Sequence, residues 1–272
     1  MQKALERLKS MAEESKTILC FGIDPAIEKI SCAGGICRPG NAEQQIVSYY
    51  SEIIDALLEE NQISAIKPNY AYFAQYGFEG LKALKSIISN YKNKTFIIFD
   101  GKRGDIGKSS DAYANEVYGF WGADAVTLSP YMGSDSVKPF LKNDKIAYVL
   151  CRTSNEGAKD FQELKIGKEF LYEKVAKAAA KWQTGLVVGA TSDAIKKITK
   201  ITKNKTPLLI PGVGAQGGDL DMVLKSIKTN ISIHRINASS SIAYAYEKYK
   251  LSARESALKE AEKINETIRH YF

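Results

Sequence analysis

Three charged side chains follow an apolar run near the middle of the chain, at a spacing that could support proton transfer. Residues 96–99 read Phe-Ile-Ile-Phe and lead into Asp100, with Lys102 and Asp105 shortly after. Side chains two residues apart on an extended strand point the same way, so Asp100 and Lys102 are predicted to meet. A neighbouring carboxylate keeps an ammonium charged, and a fixed, charged lysine can deliver a proton in a defined direction. The alternative is a purely structural ion pair, because such pairs are common.

Short apolar segments recur along the chain with helical patterns between them, which predicts a parallel sheet. Several segments are nearly continuous apolar runs, as in parallel strands that are covered on both faces. Strands are predicted over residues 18–23, 63–67, 95–100, 125–128, 146–151, 186–189, 208–210 and 231–236. Helices are predicted over residues 1–16, 42–60, 78–91, 110–120, 168–181, 193–202, 219–228 and 253–271.

Eight strand–helix units in a chain of 272 residues predict an α/β fold, a (β/α)8 TIM barrel that forms a single domain over residues 1–272. An open, doubly wound sheet is the structural alternative. Barrels of this kind place their active sites at the carboxyl ends of the strands, so the polar residues that follow each apolar run are the candidates. Two long connections, residues 31–41 and 153–167, are candidate binding loops.

The composition predicts a cytoplasmic protein with no membrane segment and no nucleic-acid partner. Hydrophobic residues make up 44% of the chain, and no apolar run has the length of a membrane span. The net charge of +7 comes from lysines that are spread along the chain, without the context of a nucleic-acid-binding motif. Cys20 and Cys151 lie in apolar runs and are predicted to be buried thiols. Cys32 and Cys37 have no histidine at a zinc-finger spacing, so no metal site is predicted.

Segments of the chain follow the order and spacing of a known family. The string Asp-Gly-Lys-Arg-Gly-Asp-Ile-Gly over residues 100–107 resembles the Asp-x-Lys-x-x-Asp signature of the orotidine monophosphate decarboxylase suprafamily. It looks like the branch that has Arg-Gly between the lysine and the second aspartate. The resemblance also covers residues 19–25, 66–73, 151–157 and 211–219. Its motifs therefore extend over most of the chain.

The resemblance implies a lyase of pyrimidine biosynthesis that converts orotidine 5′-monophosphate to UMP and CO2 without a cofactor. Lys67, Asp100, Lys102 and Asp105 would form a charged tetrad, in which Lys102 protonates C6 as CO2 departs. Asp105 would come from the partner subunit, so the enzyme would be a homodimer with shared active sites. The remaining substrate contacts that the resemblance implies are Asp24, Asn69, Ile106, Ser109, Thr153, Ser154, Pro211, Gln216, Gly217 and Ser240.

Residues 212–217 match the pattern G-x-G-x-x-G, but they follow the seventh predicted strand and lack the acidic residue of a dinucleotide site. A phosphate loop after strand seven of a barrel fits better. After the eighth strand the family has an arginine that binds phosphate, whereas residues 237–241 read Asn-Ala-Ser-Ser-Ser and place Ser240 there. An arginine–phosphate pair is a strong contact, so nucleotide affinity is predicted to be weakened unless another cation substitutes.

Two other functions remain open at this point. The same Asp-x-Lys-x-x-Asp frame resembles that of metal-assisted sugar-phosphate decarboxylases and aldol-type synthases. Contacts to a pyrimidine base are not a feature of those enzymes, whereas Ser154 and Gln216 are the expected base contacts in this chain. Ser240 also allows a catalytically impaired barrel that binds nucleotide phosphates without turning them over.

Overall fold

The structure, a computed structural model, describes residues 1–190, 193–213 and 219–272. Within these ranges, parallel strands close into a barrel in which each strand pairs with its neighbours in sequence and β8 pairs with β1. The barrel strands are β1 (Leu19–Ile23), β2 (Ala65–Pro68), β3 (Phe96–Arg103), β4 (Ala125–Leu128), β5 (Ile146–Arg152), β6 (Gly185–Val188), β7 (Leu208–Pro211) and β8 (Arg235–Ala238). The closed barrel is confirmed and the open sheet is excluded.

Helices lie between the strands and cover the barrel from outside. The longer ones are Gln2–Ser15, Ala42–Glu59, Gly77–Tyr91, Gly107–Asn115, Leu171–Trp182, Ala194–Thr202, Leu220–Ile227 and Ala253–Arg269. Single-turn helices are Ile27–Ile30, Tyr70–Ala74, Ser134–Val137, Ala158–Phe161, Ser240–Ala243 and Tyr246–Tyr249. Short 3-10 segments cover Ala33–Gly35, Lys138–Phe140 and Lys228–Ile233, Glu116–Trp121 is a π-helical segment, and Lys165–Ile166 forms a small hairpin with Glu169–Phe170.

The eighth strand is the element whose predicted position was wrong. The sequence predicted a strand over residues 231–236, but the structure has a 3-10 segment over Lys228–Ile233 and begins β8 at Arg235. Ile231 and Ile233 are both buried, and their spacing of two residues imitates the alternation of a strand. The predicted helix over residues 110–120 likewise divides into the α-helix Gly107–Asn115 and a π-helical end.

The N-terminal helix Gln2–Ser15 closes the amino end of the barrel. Its Leu8 is fully buried in a cluster with inward-facing strand residues that include Phe96 and Tyr148. Arg235 is fully buried in the same region and donates hydrogen bonds to the carbonyl oxygens of Leu8, Ser232 and His234. The guanidinium of Arg235 therefore attaches the helix to the barrel at the end opposite the carboxyl ends of the strands.

The cysteines fall into two groups. Cys20 and Cys151 are buried free thiols, as predicted, while Cys32 and Cys37 form a disulfide in the connection that follows β1. No helix in the described ranges combines the length and the apolar character that crossing a bilayer requires.

Candidate active site

Asp100 is the centre of a hydrogen-bonded cluster at the carboxyl ends of β2, β3 and β4. Lys67 Nζ donates to Asp100 Oδ2 at 2.7 Å, and Lys102 Nζ donates to Asp100 Oδ1 at 2.7 Å. Thr127 Oγ1 donates to the same Oδ1 at 2.8 Å. The sequence prediction that Asp100 and Lys102 meet is confirmed, and the barrel adds a second lysine and a threonine from the neighbouring strands.

The electrostatics of this cluster keep its buried members charged. Burial alone would raise the pKa of Asp100, but the ammonium groups of Lys67 and Lys102 hold that pKa well below its usual range. Burial alone would lower the pKa of Lys67, but the carboxylates of Asp100 and Asp24 outweigh it, so the pKa of Lys67 rises above its ordinary value. The side chain of Lys67 is 6% exposed and that of Lys102 is 51% exposed. Lys102 is therefore the lysine of the cluster whose ammonium a ligand can reach.

Lys102 does not lie on a regularly extended strand, so the geometric reason given for its meeting with Asp100 was wrong. Its φ is 45°, in the left-handed region, and the pairing of β3 with β4 shifts register between Phe99 and Arg103. A bulge of this kind re-aims side chains at the end of a strand. The amide of Lys102 donates to Thr127 Oγ1 at 3.0 Å, so Thr127 binds both the carboxylate and the unusual backbone.

Asp105, Ile106 and Ser109 lie beyond the end of β3, and none of them hydrogen-bonds to this cluster among the described residues. Asp105 Oδ1 accepts a hydrogen bond from the Ile106 amide at 2.8 Å, and no ion pair joins Asp105 to a lysine in the described part of the chain. Ile106 is 58% exposed and Ser109 is exposed as well. Within one chain the predicted tetrad is therefore a triad of Lys67, Asp100 and Lys102.

A cavity of about 390 Å³ opens at the same end of the barrel, between β1 and β8. Two oxygen atoms there, Asp24 Oδ1 and Asn237 Oδ1, are buried without a hydrogen-bond partner among the described residues. Unpaired buried acceptors of this kind are costly unless a ligand supplies the donors. The cavity is lined by Asp24, Ala26, Lys29, Tyr72, Gly212, Val213, Asn237, Ser239, Ser240 and Tyr244.

Asn69 stands beside the cluster through a bridge of the strand ladder to Asp100. Its side-chain oxygen accepts a hydrogen bond from the Ala71 amide at 3.3 Å and so caps the helix Tyr70–Ala74. Asn69 is therefore placed at the mouth by the strand and held there by the helix that it caps.

Thr153 and Ser154 begin the connection after β5. The Thr153 amide donates to Gln162 Oε1 at 2.8 Å, and Gln162 Nε2 donates to Thr153 Oγ1 at 3.0 Å, which joins the start of the connection to the residue that follows the helix Ala158–Phe161. Ser154 packs against Gly189 so closely that a Cβ on that glycine would lie 2.8 Å from the Ser154 amide nitrogen. The absence of a side chain at Gly189 thus lets Ser154 sit on the end of β6.

Pro211 ends β7, and its carbonyl oxygen accepts a hydrogen bond from the Ala190 amide at 2.9 Å. It pairs with Asn237 of β8, so both residues lie at the rim of the barrel. Gln216 and Gly217 lie outside the described residues. Asp219 caps the helix Leu220–Ile227 by accepting from the Met222 amide at 3.0 Å, which confirms the predicted start of that helix.

Two contributors to the site escaped the sequence analysis. Thr127 is 2% exposed and lies within the apolar strand β4, where a single polar residue was the available signal. Lys29 lines the cavity from the helix Ile27–Ile30 and does not directly follow the apolar run of β1, so its position in the sequence carried no signal for the site. Both side chains reach the site from elements next to those that carry the motif.

Comparisons with known proteins agree on one family. Residues 17–252 match the model of the orotidine 5′-phosphate decarboxylase / HUMPS family. An orotidine 5′-phosphate decarboxylase of Janthinobacterium sp. (strain Marseille) is 39% identical over 97% of this chain and 98% of its own length. The solved Leishmania donovani OMP decarboxylase has a TM-score of 0.81 and 33% identity, covering 99% of this chain and 100% of that one.

The solved structure of Leishmania donovani UMP synthase is also similar, with a TM-score of 0.83 and 34% identity. The match covers 98% of this chain but 57% of the synthase. This chain therefore corresponds to part of that larger protein.

Proposed function

The chain belongs to the orotidine 5′-phosphate decarboxylase family, and we propose that it converts orotidine 5′-monophosphate to UMP and CO2 with Lys102 as the proton donor. The observation that carries this proposal is the half-exposed ammonium of Lys102, held 2.7 Å from the buried carboxylate of Asp100. The enzyme is a carboxy-lyase, and its side chains provide the acid that the reaction requires.

The chemistry sets a clear demand on the site. When the bond between C6 and the carboxylate breaks, CO2 leaves and the electron pair remains on C6 as a vinyl carbanion without a conjugated electron sink. A positioned ammonium stabilises that charge as it develops and then transfers its proton to C6. Lys102 becomes a neutral amine in this step and regains a proton from solvent, to which its side chain is open.

Asp100 keeps the ammonium of Lys102 charged and oriented. The ammonium of Lys67 pairs with the second oxygen of the same carboxylate. Asp100 accepts hydrogen bonds from both lysines and from Thr127, so its position is fixed from three strands. Such fixed charges cost no reorganisation when the carbanion forms. Asp100 and Lys67 therefore prepare the site in which Lys102 reacts.

The substrate extends from this cluster into the cavity between β1 and β8. Asp24 and Lys67 hold the ribose with the aid of Asn69, and the unpaired acceptor Asp24 Oδ1 suits a ribose hydroxyl. Thr153 and Ser154 contact the pyrimidine edge. Binding energy from the remote phosphate can then be used at the reacting carbon. The proposed contacts at the phosphate end are Pro211, Gln216, Gly217 and Ser240.

We further propose that the enzyme is a cytoplasmic homodimer in which Asp105, Ile106 and Ser109 reach the partner's active site. Among the described residues Asp105 makes no ion pair with Lys67 or Lys102, and the exposed Ile106 follows β3 at the open end of the barrel, where other connections also expose apolar side chains. Tyr131 and Met132 follow β4 and are 88% and 50% exposed. Apolar residues at a barrel mouth are suited to an interface between subunits. The proposed ligands are the nucleotide substrate and product, with no nucleic acid.

An absorbance assay with orotidine 5′-monophosphate tests the proposed function. Loss of the substrate absorbance that persists in the presence of a chelator is the expected result. Turnover of a sugar phosphate that a chelator abolishes would instead indicate a metal-assisted relative of the fold. Binding of UMP without turnover of orotidine 5′-monophosphate would indicate an impaired barrel, the alternative that Ser240 suggests.

A further inference from the structure

The cavity between β1 and β8 contains one cationic side chain among its described lining residues, and that side chain is Lys29. Arg235 is the arginine that lies nearest to Ser240 in the sequence. It is fully buried at the amino end of the barrel, where it donates a hydrogen bond to the Leu8 carbonyl oxygen. Arg235 therefore cannot serve an anion at the opposite end. If a phosphate binds in this cavity, Lys29 is the described residue that can offset its charge.

Lys29 is held at the cavity by the aromatic residues that follow β8. Tyr246 donates its hydroxyl to the Lys29 carbonyl at 2.7 Å, and Lys29 Nζ lies 4.8 Å from the ring centroid of Tyr244. Tyr244 in turn donates its hydroxyl to the Asp24 carbonyl at 2.8 Å. Tyr244 thus contacts the ammonium of Lys29 through its ring and the backbone of Asp24 through its hydroxyl.

The ion pair between Lys29 and Glu247 is easily exchanged. Lys29 Nζ is 3.1 Å from Glu247 Oε1, but the two side chains are 42% and 51% exposed. Pairs this exposed contribute little to stability, so the ammonium can turn from Glu247 to a phosphate at small cost. Among the described lining residues of the cavity, Asp24 is the acidic one. A phosphate dianion carries more charge than either carboxylate and is the stronger partner.

The remaining polar groups that line the cavity are of two chemical kinds. Asp24 Oδ1 and Asn237 Oδ1 are buried acceptors that have no hydrogen-bond partner in the part of the chain that the structure describes, which suits the hydroxyl donors of a ribose. Ser239 and Ser240 carry hydroxyl groups that can donate to phosphate oxygens. A cavity with acceptors for a sugar and a cation with hydroxyl donors for an anion matches a ribose 5′-phosphate.

We propose that Lys29 is a phosphate-binding residue of this enzyme. It supplies the positive charge that an arginine would provide at position 240 and that Ser240 lacks. This inference rests on the proposed function, because it assigns the cavity to the phosphate of that substrate. The ammonium leaves Glu247 when the nucleotide enters and pairs with the 5′-phosphate, while Tyr244 continues to support its side chain.

The test compares the Kd of UMP with that of uridine, which has no phosphate, for wild type, Lys29→Ala and Lys29→Gln. Loss of a charged contact should weaken UMP binding by about 10- to 100-fold and leave uridine binding unchanged. The KM for orotidine 5′-monophosphate should rise by a similar factor. Lys248 offers a matched control, since it pairs with Glu260 and lies over the ring of Tyr249 but does not line the cavity. Lys248→Ala should bind UMP as wild type does.

A rescue experiment makes the assignment specific. Lys29→Arg should keep most of the affinity, and Ser240→Arg should restore UMP binding when combined with Lys29→Ala. The inference is overturned if Lys29→Ala binds UMP normally, or if UMP and uridine weaken by the same factor. These binding measurements do not require turnover, so they remain decisive even if the wild-type protein fails to decarboxylate orotidine 5′-monophosphate.

Discussion

At the scale of single residues, Asp100 binds both lysines of the site, and Thr127 holds the Asp100 carboxylate in place. Thr127 donates to the carboxylate at 2.8 Å and accepts from the Lys102 amide at 3.0 Å, so it joins the acid to the backbone that carries the proton donor. The φ of 45° at Lys102 is one that non-glycine residues rarely adopt. Such a conformation persists where surrounding contacts enforce it, and Thr127 is one of those contacts.

Replacing Thr127 by valine removes both hydrogen bonds while nearly preserving the shape of the side chain. Because Lys102 would lose its support but the nucleotide contacts would remain, we expect kcat to fall by about 10- to 100-fold with little change in KM. Steady-state kinetics with orotidine 5′-monophosphate measure both parameters. Thr127→Ser, which keeps the hydroxyl, should recover most of kcat.

Thr95→Val is the matched control, since Thr95 is also buried but its hydroxyl has no partner in the described structure. Its kcat should equal that of wild type. If Thr127→Val kept full kcat, or if Thr127→Ser were as slow as Thr127→Val, Thr127 would not be a positioning residue.

The residues of the site differ in how far the sequence could predict them. Asp100 and Lys102 lie two positions apart at the end of β3, so the sequence predicted their contact, but it did not predict the register shift and the left-handed Lys102 backbone that produce it. Thr127 reaches them from β4, and its partner depends on the register between two strands, which the local pattern does not specify. Lys29 lies on a helix beyond the strand end, and its approach to the cavity depends on aromatic residues more than 200 positions later in the chain.

At the scale of elements, the strand pattern predicted the barrel well because parallel strands covered on both faces read as apolar runs. The exception was β8, which has two polar residues, Arg235 and Asn237, in a strand of four. Arg235 is a charged residue that can be buried because its guanidinium donates hydrogen bonds to backbone carbonyl oxygens. The apolar Ile231 and Ile233 just before it therefore gave the stronger but misleading signal.

The residue that leads into β8 makes the stability of the fold dependent on pH. His234 is fully buried, and its Nδ1 accepts a hydrogen bond from the Leu208 amide at 3.1 Å, which joins the starts of β7 and β8. Burial, together with the adjacent charge of Arg235, lowers the pKa of His234 to about 3. The native protein thus keeps this imidazole neutral under conditions in which the unfolded chain protonates it.

The sign of the effect follows from that difference in pKa. Between pH 6.5, the ordinary pKa of histidine, and about pH 3, the unfolded state binds more protons, so the free energy of unfolding decreases as the pH falls. The contribution of His234 approaches at most about 1.4 kcal/mol per pH unit. Urea unfolding of wild type and His234→Asn across this range measures it. Asparagine keeps an acceptor but does not titrate, so its curve should be flatter.

His270, the other histidine of the chain, is exposed and serves as the control. His270→Asn should retain the wild-type dependence of stability on pH. Equal slopes for wild type and His234→Asn between pH 6.5 and pH 4 would show that the buried imidazole is protonated in the native state as readily as in the unfolded chain.

At the scale of the whole molecule, the barrel is closed at its amino end and open at its carboxyl end. Leu8 fills the amino end, and Arg235 binds the helix that carries it. We propose that residues 1–272 form a single domain, because this helix and the C-terminal helix Ala253–Arg269 both pack on the barrel. We propose that a second subunit covers the half-buried Asp105 and the exposed Ile106 at the open end.

Mixed dimers test whether two chains share each site. A dimer of Lys102→Ala and Asp105→Asn subunits would contain one site with an intact Lys102 and an intact Asp105 only if Asp105 crosses to the partner. Two inactive variants should therefore regain about one quarter of wild-type activity after random reassortment in equal amounts. An assay after unfolding and refolding them together measures this recovery. If the mixture stays inactive while refolded wild type is active, Asp105 acts within its own chain.

The most direct measurement of the central claim is CO2 release from orotidine 5′-monophosphate by Lys102→Ala. Removing the proton donor should lower kcat by at least about 100- to 10,000-fold, while UMP still binds. Lys181→Ala, which removes an exposed lysine from the outer helix Leu171–Trp182, should release CO2 at the wild-type rate. Turnover by Lys102→Ala within a few-fold of wild type would contradict the assignment of Lys102 as the acid that protonates C6.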